Sequence, residues 1–241
     1  MTEFRETKWS QGEYGDRYID AADVIVIERR RMFEIVKSFY RFNVAPKDKR
    51  TVLDLGCGDG IVARRLLEID DALSATLVDG SDEMLEKARA LLKGYRNVSL
   101  LRASFQELLS GEIRLPRPYS LVVSALAIHH LTTEEKRALF EMIHAHLEEG
   151  GFFLNIDTTL SPSESLEEWY RELWREWINE QRERRGVEGH YEEFIEKYHD
   201  EAHYQNLDTL RSQLHSLEDA GFHDVDCFYK YGMISLYGGR R

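Results

Sequence analysis

The chain has 241 residues, 42% hydrophobic and 32% charged, with four prolines, a composition that supports a sizeable core and excludes extensive disorder. The formal net charge of −12 disfavours binding to nucleic acid and to anionic membranes, because both depend on Lys and Arg contacting phosphates. No apolar run could span a bilayer, and the N-terminal stretch MTEFRETKWSQGEYGDRY has no signal-peptide core, so we expect a cytoplasmic protein without membrane contact.

The N-terminal part predicts helix before any strand. Apolar side chains recur at helical spacing over residues 20–42, and Pro46 with the charged residues after it ends this helix. We therefore assign residues 1–45 to an N-terminal helical cap, and residues 46–160 and 207–241 to the core of the protein.

Two strand–helix units follow. TVLDL at residues 51–55 is typical of a buried strand, GCGDG of a turn, and IVARRLLEI of a helix. SATLVDG and SDEMLEKARALLKG repeat the pattern over residues 74–94, with Ser81 as the N-cap. VSLLRAS at residues 98–104 and YSLVVSALA at residues 119–127 predict two more strands. The second is apolar throughout, as are strands buried on both faces of a parallel sheet.

The alternation of strands and helices continues in the second half of the chain and is interrupted once. Residues 132–151 predict a helix that opens with a capping box from Thr132 to Glu135 and closes at Gly150 and Gly151, before the strand FFLNID. Residues 161–206 contain no strand-like run and predict two or three amphipathic helices inserted as a lid. A helix over residues 207–222 and an antiparallel hairpin split at Gly232 complete an α/β fold with helices on both faces of the sheet.

The glycine-rich turn is the first candidate functional site. Ligands of open α/β sheets bind outside the carboxyl ends of the strands, where Gly56 and Gly58 are expected to lie. Glycines let a ligand approach the backbone, although a tight turn alone would also require them. Asp79 ends the second strand and is placed to bind two ribose hydroxyls, so the pair of signals predicts a ribose-bearing ligand.

Several stretches resemble the motifs of one family. VLDLGCGDG, LVDGSDEML, YSLVVSALAIHHL and LEEGGFFLNID are similar to the successive motifs of class I S-adenosylmethionine-dependent methyltransferases, and the C-terminal LEDAGFHDVDCFYKYGMISLYGGR resembles that fold's last helix and hairpin. The resemblance covers residues 50–157 well. It implies a Rossmann-like seven-stranded sheet, parallel with an antiparallel C-terminal strand, and S-adenosyl-L-methionine as the cofactor.

The resemblance also assigns the cofactor-binding residues. By this resemblance Asp54, Gly56 and Gly58 would hold the methionine part of the cofactor, Asp79 would bind the ribose, and Met84 would pack on the adenine. Many members carry an acid after the third strand that accepts from the adenine amino group. Here Ser104 stands in its place, and its uncharged hydroxyl is a weaker acceptor. The expected cofactor set is Arg29, Asp54, Gly56, Cys57, Gly58, Asp79, Gly80, Met84, Ser104, Phe105 and Ser124.

Fewer sequence features indicate which residues would bind or activate the methyl acceptor. His129 and His130 follow the fourth strand and are candidate general bases, with a polar helix cap and a packed ring as the alternative interpretation. His199 and His203 have the i, i+4 spacing of metal ligands, but the sequence between them is not that of H-E-x-x-H, so we expect surface or substrate-pocket residues and no metal. Tyr14, Tyr18 and Trp169 are candidates for an aromatic wall around the substrate, with core packing as the alternative.

We therefore expect a monomeric or homodimeric enzyme that transfers a methyl group to an oxygen, nitrogen or carbon nucleophile of a small molecule. A nicotinamide-dependent dehydrogenase is the near competitor, but its fingerprint is G-x-G-x-x-G and this chain has G-x-G-x-G. IVIERRRMFEIV and LTTEEKRALFEMI faintly resemble the enzymes of tRNA wobble-uridine modification, which include carboxy-S-adenosylmethionine synthase. A non-catalytic module that binds S-adenosylmethionine is the third alternative.

Overall fold

A seven-stranded sheet with the strand order β3-β2-β1-β4-β5-β7-β6 forms the centre of the molecule. The computed structural model describes residues 12–116, 118–186 and 204–241, without the side chains of residues 12–14 and 16. The strands are β1 (Thr51–Leu55), β2 (Ser74–Asp79), β3 (Val98–Arg102), β4 (Tyr119–Ala125), β5 (Leu147–Thr158), β6 (His223–Tyr231) and β7 (Ile234–Arg240). Strands β1 to β5 pair in parallel, and β7 is antiparallel to both of its neighbours, which confirms the predicted fold class.

Helices cover both faces of the sheet. They are α1 (Gly12–Ile25), α2 (Arg29–Asn43), α3 (Ile61–Leu67), α4 (Asp82–Leu91), α5 (Phe105–Leu109), α6 (Thr133–His146), α7 (Glu164–Arg185) and α8 (Leu210–Asp219). Because side chains alternate along a strand, Val52 of β1 joins the core under α1 to α4, whereas Leu53 and Leu55 join the core under α5, α6 and α8. None of the described helices has the length and apolar character needed to cross a lipid bilayer.

The strand order positions the functional site. The chain runs from β1 outward through β2 to β3, and then returns to the other side of β1 to form β4 and β5. This reversal opens a crevice between the loops that leave the carboxyl ends of β1 and β4, which is where open α/β sheets bind their ligands. Both strands are buried between neighbours, so the loops that follow them stand on a rigid support.

The single helix predicted over residues 20–42 is wrong, because the chain breaks there into α1 and α2. The break falls at Val26 to Glu28, and Glu28 has a left-handed backbone conformation with φ of 52°. Val26 and Ile27 are both buried, although consecutive residues of one helix point about 100° apart. Turning the chain at this point lets both side chains enter the core and separates α1 from α2.

The predicted end of the helix before β5 is also wrong. The capping box from Thr132 to Glu135 and the N-cap at Ser81 are confirmed. However, α6 ends at His146, and residues 147–151 belong to β5, where Leu147 pairs with Tyr119 of β4. The amide of Gly150 donates to the carbonyl of Arg241, so pairing with distant parts of the chain replaces the predicted glycine stop.

The inserted segment contains one long helix in its described part. Helix α7 spans 22 residues and packs on α1, and residues 187–203 lie outside the described ranges together with the expected substrate residues His199 and His203. The indole of Trp174 donates to the carbonyl of Ile25 at 2.6 Å, and that of Trp177 donates to Val24 at 2.9 Å. These carbonyls lie in the last turn of α1, where no helical partner satisfies them.

A charged cluster joins the same helices. Asp23 of α1 contacts Arg29 at 2.9 Å, Arg30 at 2.8 Å and Arg185 at 3.3 Å, so one carboxylate connects α1, α2 and α7. Burial acts to raise the pKa of Asp23, but hydrogen bonds from Arg30 and Arg29 outweigh it and lower the pKa to about 2. The carboxylate is therefore ionised at physiological pH, and α1 is held to its neighbours by backbone and charge together.

Replacing Trp174 or Trp177 with Phe is expected to loosen α1, because the indole donor is lost together with part of the ring while an aromatic side chain remains. Each change should lower the free energy of unfolding by about 1 kcal/mol and speed amide hydrogen exchange in α1 relative to the sheet. Trp169→Phe is the matched control, since Trp169 is 54% exposed and should leave exchange unchanged. Unchanged exchange in α1 for both test variants would contradict the assigned role of the indoles.

Candidate functional site

The loop after β1 is shaped by its glycines and fixed to β2. The amides of Gly56 and Cys57 donate to the carbonyl of Val78 at 2.8 and 3.0 Å. Gly56 has φ of 65°, and a Cβ there would lie 2.4 Å from the Cβ of Ala127, so this position requires glycine for conformation and for space. Gly58 also has a positive φ, but a Cβ there would meet nothing within 4 Å. The loop therefore presents open space beside Gly58.

A cavity of about 610 Å³ lies above this loop, at the carboxyl ends of β1, β2 and β4. Its volume is within the range of about 300–1,000 Å³ that is typical of small-molecule sites. The lining residues are Tyr18, Ile19, Ala22, Val26, Arg29, Phe33, Asp54, Gly56, Cys57, Gly58, Asp59, Ile61, Val62, Val78, Asp79, Gly80, Ser81, Met84, Ala103, Ser104, Phe105, Gln106, Ala125, Leu126, Ala127, His130, Leu131, Thr132, Glu135, Ile156 and Asn206. Most of the cofactor residues expected from the sequence are therefore brought together.

Asp54 is a buried carboxyl group with one unused oxygen. Its Oδ2 accepts from the amide of Ala63 at 3.2 Å, whereas Oδ1 has no hydrogen-bond partner among the described residues. Burial, with smaller contributions from the nearby Asp59 and Asp79, raises the pKa of Asp54 to about 7. A hydrogen-bond donor or a cation in the cavity would satisfy the unused oxygen and favour the ionised form.

Asp79 is held by backbone amides at the end of β2. Its Oδ2 accepts from Gly58 at 2.8 Å and its Oδ1 accepts from Ser81 at 2.9 Å. Each carboxylate oxygen has a second acceptor position, so both remain able to bind hydroxyl groups from the cavity. Burial raises the pKa of Asp79, which opposes the hydrogen bonds that stabilise its charge.

Acidic groups dominate the charge of the cavity. Asp54, Asp59, Asp79 and Glu135 line it, whereas Arg29 is the only Lys or Arg among its described lining residues. The guanidinium of Arg29 is bonded to Asp23 and lies 5.1 Å from the centre of a Phe33 ring. The floor of the cavity therefore favours a ligand with positive charge or hydrogen-bond donors.

Ser104 lines the cavity, but its hydroxyl caps α5. The hydroxyl donates to Oε2 of Glu107 at 2.8 Å and accepts from the Glu107 amide at 3.2 Å, which completes a capping box. Hydrogen bonds from Ser104, outweighing partial burial, hold the pKa of Glu107 below its usual value, with Arg102 contributing. The S-x-x-E pattern at residues 104–107 is readable in the sequence and predicts this cap.

The two candidate histidines have different surroundings. Both lie in the short 3₁₀ turn Ile128–His130 that follows β4, and their rings are 4.0 Å apart. His130 lines the cavity, whereas His129 does not. Nδ1 of His129 lies 2.5 Å from Oδ1 of Asp157, a buried carboxyl group that also accepts from Asn155 at 3.2 Å. The structure thus supports His130 as the residue that can contact a substrate and His129 as its fixed neighbour.

Three other expected site residues lie away from the cavity or are not described there. Ser124 is buried and donates to the carbonyl of Leu55 at 2.8 Å, so it stabilises the pairing of β1 with β4 and does not line the cavity. Trp169 is largely exposed on α7, outside the lining. Tyr14 is placed by its backbone in α1, but its side chain is outside the described part. Tyr18 of the same helix does line the cavity.

Sequence reasoning missed the polar wall opposite the glycine loop. Asn206 lines the cavity and donates to the carbonyl of His130 at 3.0 Å, and its own carbonyl accepts from Lys136. Lys136 is buried and bonded to Asp208 at 2.7 Å, so an ion pair fixes the returning end of the insertion. No local pattern predicts this contact, because it joins residues about 70 positions apart. Within the described ranges, no three His, Cys, Asp or Glu side chains converge as they would around a metal ion.

Comparison with known proteins agrees with this geometry. A family model described as a methyltransferase domain matches residues 52–151, the span from β1 into β5. The chain is 27% identical over 187 residues to carboxy-S-adenosyl-L-methionine synthase of Chromohalobacter salexigens, covering 75% of this chain and 64% of that protein. It is also 27% identical over 172 residues to an uncharacterized methyltransferase of a Geobacillus species, covering 71% of this chain and 73% of that protein.

Solved structures share the fold. An O-methyltransferase family protein from Burkholderia thailandensis superposes with a TM-score of 0.66 at 16% identity, covering 98% of this chain and 62% of the other. This chain thus spans less than two thirds of the length of that protein and of the Chromohalobacter synthase. At this identity the likeness establishes the arrangement of helices and strands.

Asp54→Asn is expected to stabilise the ligand-free protein at high pH. Because folding raises the pKa of Asp54 from 3.8 to about 7, the ionised carboxylate opposes folding, and this cost grows as the pH rises between these values. At pH 8 the variant should unfold with a free energy higher by up to about 4 kcal/mol, and the gain should be much smaller at pH 5. Urea denaturation at both pH values measures it, with the exposed Asp71→Asn as control. An equal gain at both pH values would contradict burial as the cause.

The family match, the fold and the cavity all indicate the same class of protein. The matched domain contains the strand, the glycine loop and the acid of β2 that form the cavity floor. The topology, with β7 antiparallel in an otherwise parallel sheet, is that of the solved relative. The methyltransferase-domain match over residues 52–151 and the shared fold together support a class I S-adenosylmethionine-dependent methyltransferase.

Proposed function

We propose that the protein transfers a methyl group from S-adenosylmethionine to an oxygen, nitrogen or carbon nucleophile of a small-molecule acceptor. The observation that carries this proposal is the continuity of the cavity. It joins the acid-lined floor at Asp54 and Asp79 to a second region bounded by α1, His130 and Asn206. One cavity therefore has room for a cofactor on the glycine loop and for an acceptor beside it.

The residues of the floor fit this cofactor. S-adenosylmethionine carries a positive sulfonium and an ammonium group, and the floor presents three aspartates. The unused Oδ1 of Asp54 is a suitable partner for the ammonium group, and the two oxygens of Asp79 are suitable for the ribose hydroxyls. Met84 and Phe105 supply apolar surface for the adenine.

The second region suits a small acceptor with one apolar side. Ile19 and Ala22 of α1 and Phe33 of α2 contribute apolar surface, and His130 and Asn206 contribute polar groups opposite the glycine loop. Within the described structure, α1 covers the cavity, and hydrogen bonds from two tryptophans of α7 hold α1 in place. Such cover excludes water from the reacting groups and holds the acceptor in place.

The chemistry requires little from the protein beyond this placement. When bound, the cofactor supplies an electrophilic methyl group on a positively charged sulfur. Methyl transfer to a lone pair of the acceptor would leave a neutral thioether, so the protein would not have to stabilise a charged leaving group. His130 accepts the proton that an oxygen or nitrogen nucleophile releases. Asp157 fixes the ring of His129, which packs beside that of His130.

Carboxy-S-adenosylmethionine synthesis is the second candidate, favoured by the similarity to the Chromohalobacter synthase. That reaction requires a second, carboxylate-bearing ligand in the cavity. Arg29 is the only Lys or Arg in the described lining, and Asp23 already neutralises part of its charge. We therefore rank methyl transfer first and the non-catalytic binding module third. Mass spectrometry of the ligand that purifies with the protein, followed by assays with methyl-labelled cofactor across acceptor classes, distinguishes the three.

Asp79→Ala is expected to weaken the binding of S-adenosylhomocysteine by at least about 10-fold, because two charge-assisted hydrogen bonds to the ribose are lost. Isothermal titration calorimetry measures the dissociation constant. Asp71→Ala removes an exposed carboxylate elsewhere and should bind normally. Equal affinity of Asp79→Ala and the unchanged protein would overturn the ribose assignment, and absence of binding by the unchanged protein would overturn the cofactor assignment.

His130→Ala is expected to lower the turnover number by about 100-fold or more with an oxygen or nitrogen acceptor, and to leave S-adenosylhomocysteine affinity nearly unchanged. The loss should shrink as the pH rises, since hydroxide then replaces the missing base. The measurement is methyl transfer to the acceptor identified in the screen, over pH 6 to 9. His215→Ala, on the exposed face of α8, is the control. Unchanged turnover for His130→Ala would remove the proposed base.

A further inference from the structure

The turn after β4 and the end of the inserted segment form a polar wall at one side of the cavity. Strand β4 lies on the other side of β1 from β2 and β3, so a cofactor held at Asp54 and Asp79 leaves the space beside this turn for the acceptor. His130 of the turn and Asn206 of the inserted segment both line the cavity. The chemistry of these two side chains therefore bears on which acceptor group can bind.

The backbone of Asn206 is held by a buried cluster that joins it to α6. Its carbonyl accepts from Nζ of Lys136, a residue that is 2% exposed. The same Nζ lies 2.7 Å from Oδ2 of Asp208, and Oδ1 of Asp208 accepts from the hydroxyl of Thr133 at 2.9 Å. The amide of Leu160 donates to the backbone carbonyl of Asp208 at 2.9 Å, so the two ends of the inserted segment meet at this cluster. Asn206 is therefore presented to the cavity from a fixed backbone.

One hydrogen bond determines which atom of the Asn206 side-chain amide is available to a ligand. Nδ2 donates to the backbone carbonyl of His130 at 3.0 Å, and a carbonyl accepts hydrogen bonds but does not donate them. The amide is therefore oriented with Nδ2 toward the turn. Oδ1 accepts no hydrogen bond from the described residues and is not a buried atom without a partner, so it is accessible to a donor.

The charge of the cavity disfavours an anionic acceptor. Asp54, Asp59 and Asp79 line the floor, and Arg29 is the only Lys or Arg in the described lining. The guanidinium of Arg29 lies 2.9 Å from the carboxylate of Asp23, which neutralises part of its charge. A carboxylate in this cavity would meet like charge, whereas a cationic group or a hydrogen-bond donor would be stabilised.

We propose that the methyl acceptor is a primary amine and that Asn206 recognises it, with Oδ1 accepting one of its N–H groups. This inference rests on the proposed function, in which His130 accepts a proton from the acceptor. An amine has hydrogens for both residues and keeps its lone pair for the methyl group. A hydroxyl has one hydrogen for two accepting groups, so one of them would face an oxygen lone pair, which is unfavourable.

Four probes that share one ring and differ in their polar group test the acceptor class: benzylamine, benzyl alcohol, benzyl methyl ether and phenylacetate. Ligand-detected NMR titration at saturating S-adenosylhomocysteine gives the dissociation constant of each probe without turnover. We expect the full chain to bind benzylamine about 10-fold more tightly than the ether, with the alcohol between them and phenylacetate weakest. Another probe that binds as tightly as benzylamine, or absence of binding by all four, would overturn the inference.

Two variants of Asn206 separate recognition of the amine from support of the turn. Asn206→Leu and Asn206→Asp both lose the donor to the His130 carbonyl, but only Asp keeps an acceptor oxygen. Asn206→Leu should weaken benzylamine binding by about 10-fold and bring benzylamine and the ether within about 3-fold of each other. Asn206→Asp should preserve the preference for benzylamine.

Gln205→Leu, at the exposed neighbouring position, is the matched control and should bind the probes as the unchanged protein does. Circular dichroism of each variant confirms that it is folded. Equal loss of the preference in Asn206→Leu and Asn206→Asp would show that Asn206 only supports the turn, and a preference that survives in Asn206→Leu would show that another group selects the amine. Either result would overturn the inference.

Failure of the inference is distinguishable from failure of the proposed function. If the unchanged protein binds S-adenosylhomocysteine in calorimetry but shows no preference for benzylamine, this inference is wrong and the cofactor assignment stands. If it does not bind S-adenosylhomocysteine, the proposed function is overturned. Titration of the four probes without that ligand then still measures whether Asn206 recognises an amine.

Discussion

The burial of acidic groups at the carboxyl edge of the sheet is the constraint on which the site depends. Asp54 and Asp79 lie at the ends of β1 and β2, where burial raises the pKa of both. Backbone amides of Gly58 in the glycine loop and of Ser81, the N-cap of α4, partly compensate Asp79, and the loop uses left-handed backbone conformations that favour glycine. The uncompensated Oδ1 of Asp54 costs stability in the ligand-free protein, and a cationic ligand recovers that cost.

The helices that cover the site are stabilised by groups far from it in the chain. Helix α1 lies over the cavity, but its last turn is capped by indoles of α7, about 150 residues later. Asp23 adds an ionic connection among α1, α2 and α7. The inserted segment therefore acts in two places. Helix α7 stabilises α1, which covers the cavity. Asn206, at the end of the segment, lines the cavity, where its backbone carbonyl accepts from the buried Lys136 and its side chain donates to the carbonyl of His130.

Polar side chains in this wall are oriented by partners that do not touch the ligand. Asp157 fixes the ring of His129 beside His130, and Glu135 fixes the amide of Gln106. Both supporting groups are carboxylates, which accept but do not donate, so each determines which atom its partner turns outward.

The sequence by itself determined the order of the strands along the chain, the glycine loop, the acid of β2 and the helix caps at Ser81 and Thr132, because these depend on local conformation and on side chains near in the chain. Only the tertiary structure decided the break between α1 and α2, the early end of α6, and the positions of Gln106 and Asn206 at the cavity. Burial against distant elements sets these features. Packing of Val26 and Ile27 outweighed helix periodicity, and pairing of Leu147 with Tyr119 outweighed the glycine stop. Contacts between residues far apart in the chain leave no pattern in either segment alone.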